Sequence, residues 1–407
     1  MGDMGGMGDP ILWAGIVMLA GALGAIAARA LRLPAACGAL AGGAVLLSSA
    51  RQLGWIEAWP DLGLIRSLGA AFLCFLLGAQ IDLTRLVRRW RPIVGSALTQ
   101  SGAVMLLVGV VGWAIGLGWI GCVLLASGAV AASPTGLIAV ASESRARGDL
   151  TQAILTISLI GLVVGSLAAA VVNASALLWL GIAGGGLALG AACGAVIMMP
   201  LSRMSTRGAI VTCVLFGSIL LWGCTRLLAA PWMLAPMSIL AGFMSGNLIP
   251  NRDLIRDALN DAAVPASVIL FALVGSSVLI EEIPGVLMPA ALLLVARGAA
   301  IFIAEIMTGS SSPRALRPAA LLPMAGCSVT TAAVMAAASA TASASASTTV
   351  TAGLVGAAEG YPLAATLFTA ALMSEAFGMI GTRWALHRGG EAAPASENPD
   401  AWRAQMR

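Results

Sequence analysis

The sequence predicts an all-α polytopic membrane protein with about thirteen transmembrane helices, arranged as two inverted six-helix repeats with two broken helices. Three observations carry that prediction: an extreme composition, a regular succession of apolar stretches, and helix-breaking clusters in two of them. Of 407 residues, 59% are hydrophobic and 10% charged, and the mean hydropathy is +0.96. A soluble globular chain has about 25% charged and about 45–50% apolar residues. That gap excludes a water-soluble enzyme and a disordered chain. The net charge of +4 is spread in ones and twos between apolar segments, so it forms no nucleic-acid face.

The helices follow from length. A hydrocarbon core about 30 Å thick needs about 20 apolar residues per helix. On that rule the chain divides into spans at 11–30, 34–50, 62–81, 93–117, 119–141, 151–173, 176–200, 208–228, 231–249, 264–281, 285–308, 316–338 and 361–384. Met1–Pro10 holds no basic residue, which argues against a cleaved signal peptide. Asn251–Asp261 (NRDLIRDALND) alternates charged and apolar residues and reads as a short amphipathic helix on the membrane surface. Ser339–Gly353 is a low-complexity connector, and residues 386–407 read as a disordered polar tail.

Orientation follows from the arginines. With the N-terminus outside and the C-terminus in the cytoplasm, eighteen of the 22 basic residues fall on the cytoplasmic side. The positive-inside rule requires such a bias. The expected location is the inner (plasma) membrane, with the lipid bilayer as a partner.

Several chemistries have no material. All basic residues are Arg, so neither a Schiff-base lysine nor a phosphate-loop lysine exists. The single His387 sits at the C-terminal end, which leaves no histidine metal cluster and no Ser-His pair. Seven cysteines fall singly inside apolar segments with no CxxC spacing, as small buried residues do. No enzyme activity and no cofactor are expected.

Function is sought where the membrane makes polarity expensive. Arg297 lies near the midpoint of the eleventh span, where a central Arg costs roughly 2.5–3.5 kcal/mol on insertion scales. Glu305 follows two turns later on the same helix, and Glu375 is the other acidic residue well inside a span. In the fifth span, Ala131–Gly136 (AASPTG) places Pro134 beside Ser133 and Thr135; proline removes a backbone donor and frees carbonyls. Pro323–Thr331 (PMAGCSVTT) in the twelfth span is a similar cluster, offering Cys327, Ser328 and Thr330. Ser and Thr also satisfy backbone groups in ordinary membrane helices.

If residues 1–173 and 208–385 are six-helix repeats joined by a linker helix in 174–207, spans five and twelve are equivalents. An offset of seven spans forces the repeats into opposite orientations. Paired interrupted helices in inverted repeats point to a secondary transporter with its site at the midplane.

Gly21–Gly43 (GALGAIAARALRLPAACGALAGG), Phe75–Arg89 (FLLGAQIDLTRLVRR), Arg147–Leu150 (RGDL), Val295–Arg297 and Phe377–Leu386 (FGMIGTRWAL) together, in this order and spacing, resemble the sodium/proton exchanger superfamily. The likeness is greatest to its bacterial branch of potassium-efflux and sodium/proton antiporters. The resemblance implies thirteen helices, a mobile core with crossed broken helices, a homodimer, and exchange of a monovalent cation (Na⁺ or K⁺) for protons by alternating access. It also implies a carboxylate in the sixth span that binds cation and proton in competition. Counted from RGDL, that position falls on Gly165–Ser166, and Ser133 stands where one branch has Asp before Pro. A serine hydroxyl does not ionise in the accessible range, so Glu305 or Glu375 would have to carry the proton. Transport of an anionic or neutral solute by the same fold, and a non-transporting relative, are the alternatives.

Overall fold

The computed structural model describes residues 10–31, 33–55, 62–130, 132–144, 146, 148–171, 176–228, 230, 233–276, 280, 283–308, 321 and 363–392. Among them run thirteen helices. The first half holds α1 (Pro10–Ala30), α2 (Ala35–Gln52), α3 (Gly63–Gln80), α4 (Leu83–Ala114), α5 (Trp119–Val130), α6 (Pro134–Glu143) and α7 (Asp149–Val171). After α8 (Ala176–Leu201) come α9 (Arg207–Leu227), α10 (Leu234–Leu248), α11 (Arg252–Gly275), α12 (Ile283–Thr308) and α13 (Leu363–Arg388). The fifth expected span is therefore two half-helices, α5 and α6. The twelfth, with its break at Pro323–Thr331, and the Ser339–Gly353 connector lie outside the described residues apart from Leu321. Seven of the described helices are long and apolar enough to cross a membrane, and the chain is a multi-pass membrane protein.

Two expectations change. Asn251–Asp261 is not a separate surface helix but the opening turns of α11, which continues to Gly275. Ile255, Ala258, Leu259 and Ala263 recur at helical spacing on one buried face, and that face runs unbroken into the apolar part. Residues 386–388, expected in the polar tail, are the last turn of α13, and residues 393–407 lie outside the described residues.

The helices fall into two groups. One contains α1, α2, α3, α9, α10 and α11, with α8 on its outside against α9 and α10. The other contains α4, α5, α7, α12 and α13. Half-helix α6 touches α2, α3 and α11 of the first group and α7 and α13 of the second, so it occupies the seam. The neighbours come in matched sets: α2 packs on α11 as α10 packs on α3, α1 on α11 as α9 on α3, and α12 on α13 as α4 on α7. Each set maps onto the other by a shift of seven spans.

Small residues make the central crossings possible. A Cβ on Gly43 would run into the Ala272 carbonyl of α11, and one on Gly275 into the Leu40 carbonyl of α2. The matching crossing repeats this: Gly242 and Gly246 of α10 lie against the Phe75 and Ala79 carbonyls, and Gly78 of α3 lies against that of Ile239. Lipid tails are as apolar as Leu, so close backbone packing replaces the hydrophobic drive that joins helices in water. Gly242→Val is expected to separate α3 from α10 and lower the melting temperature of the detergent-purified protein, which size-exclusion profiles after heating would measure. The glycine run of α8 also works within the chain: Gly186, Gly190 and Gly194, one helical turn apart, face Met233, Met237 and Ala241 of α10.

The end of α3 shows how one side of the bundle is closed. Its last carbonyls lack helical partners. Arg256 donates to Ala79 O at 3.0 Å and Ile81 O at 3.2 Å, and Asn247 donates to Ile81 O at 2.9 Å. Nearby Gln80 Nε2 donates to Asn260 Oδ1 at 2.6 Å. Helix ends that the arginine count assigns to one side thus lie together.

Candidate functional site

The site grows from the gap between α5 and α6. Helix α5 ends at Val130, and Pro134 opens α6. In an unbroken helix the Val130 carbonyl would accept from the amide of residue 134, which proline lacks. Ser133 takes the N-cap position: its backbone is extended (φ −67°, ψ 101°), and its Oγ accepts from the Gly136 amide at 3.0 Å. This cap satisfies one of the free amides at the start of α6. Ser133 is fully buried, so the break lies inside protein, where a membrane tolerates it.

Arg297 answers the other side of the gap. It is 0% exposed, and its Nε donates to Ala129 O at 2.7 Å. A guanidinium at the C-terminal end of α5 also opposes the negative end of that helix dipole. Its Nη2 donates to Leu321 O at 3.0 Å, which ties α12 to a residue of the expected twelfth span. These bonds hold a charge at mid-helix, with one donor on the Ala129 carbonyl at the end of α5 and another on the Leu321 carbonyl.

Glu375 completes the arrangement. It is 1% exposed on α13, and its carboxylate approaches the first turn of α6: a Cβ on Gly136 would stand 2.6 Å from Oε2 and 3.1 Å from Ser133 Oγ. The carboxylate also interacts electrostatically with Arg297. Oε2 therefore lies at the positive N-terminal end of one half-helix, with the guanidinium at the negative end of the other. On the seam side, Cys37 of α2 brings its Sγ to 4.0 Å from Glu375 O and 3.9 Å from Met379 Sδ.

Of the residues expected from sequence, Ser133, Arg297 and Glu375 are thus brought together around the break. Pro134 opens α6, and its ring and the Thr135 side chain lie outside what the structure describes. Ser166 is placed by its backbone only: a Cβ on its neighbour Gly165 would stand 2.6 Å from Ser127 O, so this level of α7 lies directly against the last turn of α5. Glu305 is buried, but eight residues of α12 put it about 12 Å along the axis from Arg297. Cys327, Ser328 and Thr330 fall outside the described residues. Gly136 and Cys37 are additional participants. The AASPTG cluster pointed at the glycine, whereas nothing in the sequence joined Cys37 to the site.

The family model described as sodium/hydrogen exchanger, transmembrane, matches residues 15–386. The fold is similar to that of the sodium proton antiporter MjNhaP1 from Methanocaldococcus jannaschii at pH 8, with 17% identity, a TM-score of 0.68, and coverage of 94% of this chain and 98% of that one. An electron-microscopy structure of the same antiporter gives 18% identity and a TM-score of 0.66 over the same shares of both chains. No curated protein sequence matches. With the family model spanning almost the whole chain, this protein belongs to the sodium/hydrogen exchanger family of membrane transporters.

Proposed function

We propose that the chain exchanges a monovalent cation, Na⁺ or K⁺, for protons, with Glu375 as the group that alternates between them. The observation that carries this reading is the buried Glu375 carboxylate at the first turn of α6, beside Ser133 and Gly136. An antiporter needs one group that can lose its charge, and α7 supplies none at Ser166. Glu375 meets the need from α13, on the opposite side of the same break.

The charges fit competition. Ionised Glu375 and Arg297 sum to zero, and a proton on the carboxylate neutralises what a cation would otherwise bind. The Ser133 hydroxyl offers a neutral oxygen ligand beside the carboxylate, of the kind hard cations prefer. An anionic solute fits less well, because Glu375 already fills the place at the start of α6 that a solute anion would take. Alternating access is supported by the seam: α6 and Glu375 lie between two helix groups, each packed within itself. On the arginine count, α6 ends and α7 begins at the cytoplasmic side.

The test is direct. In proteoliposomes with an imposed pH gradient, adding sodium or potassium should collapse the gradient; no proton movement with sodium, potassium or lithium overturns the proposal. Gly136→Ala sharpens it, since the added Cβ would press on Oε2 at 2.6 Å. We expect this variant to fold normally and to lose most of its exchange rate in the same assay.

A further inference from the structure

The chain turns sharply after α13. Gly390 has φ +70°, and Glu391 N donates back to Leu386 O at 3.1 Å, a turn that glycine at this place permits. The turn aims Glu391 at the start of α7. One carboxylate oxygen accepts from the Leu150 amide at 2.7 Å, and the other from the Thr151 amide at 2.8 Å and Thr151 Oγ1 at 2.6 Å. Gly148 leaves the room: a Cβ there would collide with the Glu391 carboxyl. Leu150 also touches the turn, since a Cβ on Gly389 would stand 2.9 Å from its Cδ2. A carboxylate at a helix N-terminus is favoured by the exposed amides and by the dipole. These three bonds join α7 to the end of α13.

The join sets depth. From Thr151 to Ser166 along α7 is fifteen residues, about 22 Å; from Arg388 back to Glu375 along α13 is thirteen, about 20 Å. Both helices therefore reach the broken segment at the same level when measured from the shared clamp. Between them lies α5, which each helix packs against.

We propose that Glu391 is a positioning residue for transport: by clamping the start of α7 to the end of α13, it fixes the register that keeps Glu375 level with the Ser133–Gly136 break. This rests on the proposed role of Glu375. A slip of one helical turn, about 5.4 Å, would carry the carboxylate away from the break.

The full-length protein with Glu391→Gln and Glu391→Asp tests it by two readouts. The first is hydrogen exchange at the Leu150 and Thr151 amides in the purified protein, which reports the clamp without any transport. The second is sodium-dependent proton exchange in proteoliposomes, separated into KM and maximal rate. Glu391→Gln should speed exchange at those amides and raise the KM for the cation on the order of tenfold, the equivalent of one lost charge-assisted hydrogen bond. Glu391→Asp should restore much of both. Unchanged amide exchange would overturn the clamp, and faster amide exchange with an unchanged KM would overturn its positioning role. Wild-type protein that moves no protons would instead sink the antiport reading, and the positioning role with it, whatever the amides show.

Discussion

Glu375→Gln is expected to abolish cation-driven proton movement while leaving the protein folded. The substitution keeps the shape and the buried volume but removes the group able to ionise beside α6. Glu375→Asp retains the charge on a shorter arm, drawing it back from Gly136 and Ser133, and is expected to transport slowly. The measurement is dequenching of a pH-sensitive dye in proteoliposomes upon adding sodium or potassium, with a thermal melt of each variant as control. Glu305→Gln provides the contrast. Glu305 is buried on α12 about 12 Å from Arg297, and its replacement is expected to leave exchange largely intact.

The second large effect is at Arg297, and it falls on the fold. Replacing it with Met fills similar space but removes the donors to Ala129 O and Leu321 O. It also leaves the Glu375 carboxylate without the positive charge it interacts with. A buried acceptor left without its donor costs about 1–3 kcal/mol. A marginally stable membrane protein would show this as a large fall in melting temperature and in the yield of monodisperse material. Arg297→Lys keeps the charge, but a single ammonium lacks the planar fork that reaches two separated carbonyls. It is expected to recover part of the stability and little of the exchange.

These two residues also show what can be read from sequence. Arg297 was legible because a charge near the middle of an apolar stretch demands compensation, and Pro134 because proline withdraws an amide that a membrane helix needs. Their relation was not legible: which carbonyls the guanidinium reaches depends on how α12 crosses α5. Glu375 stood out as an intramembrane acid, yet nothing local distinguished it from Glu305. The choice comes from packing, because Gly136 has no Cβ and the carboxylate uses that space.

Composition misled in two places for one reason. Asn251–Asp261 alternates charged and apolar residues, as a surface helix would, but its apolar positions continue the buried face of α11, and Arg256 reaches inward to the end of α3. Residues from 386 onward are polar, as a loose tail would be, yet a single carboxylate among them is aimed at α7. Arg256 and Glu391, one in each segment, supply partners for helix ends. Average polarity does not separate that use from contact with water.

The account's central claim is that the ion and the proton compete for Glu375, and proton release upon cation binding measures this most directly. In a weakly buffered solution of purified protein, adding sodium or potassium should acidify the medium for the wild type and leave it unchanged for Glu375→Gln. Equal acidification by both proteins would place the exchanging proton elsewhere and contradict the account.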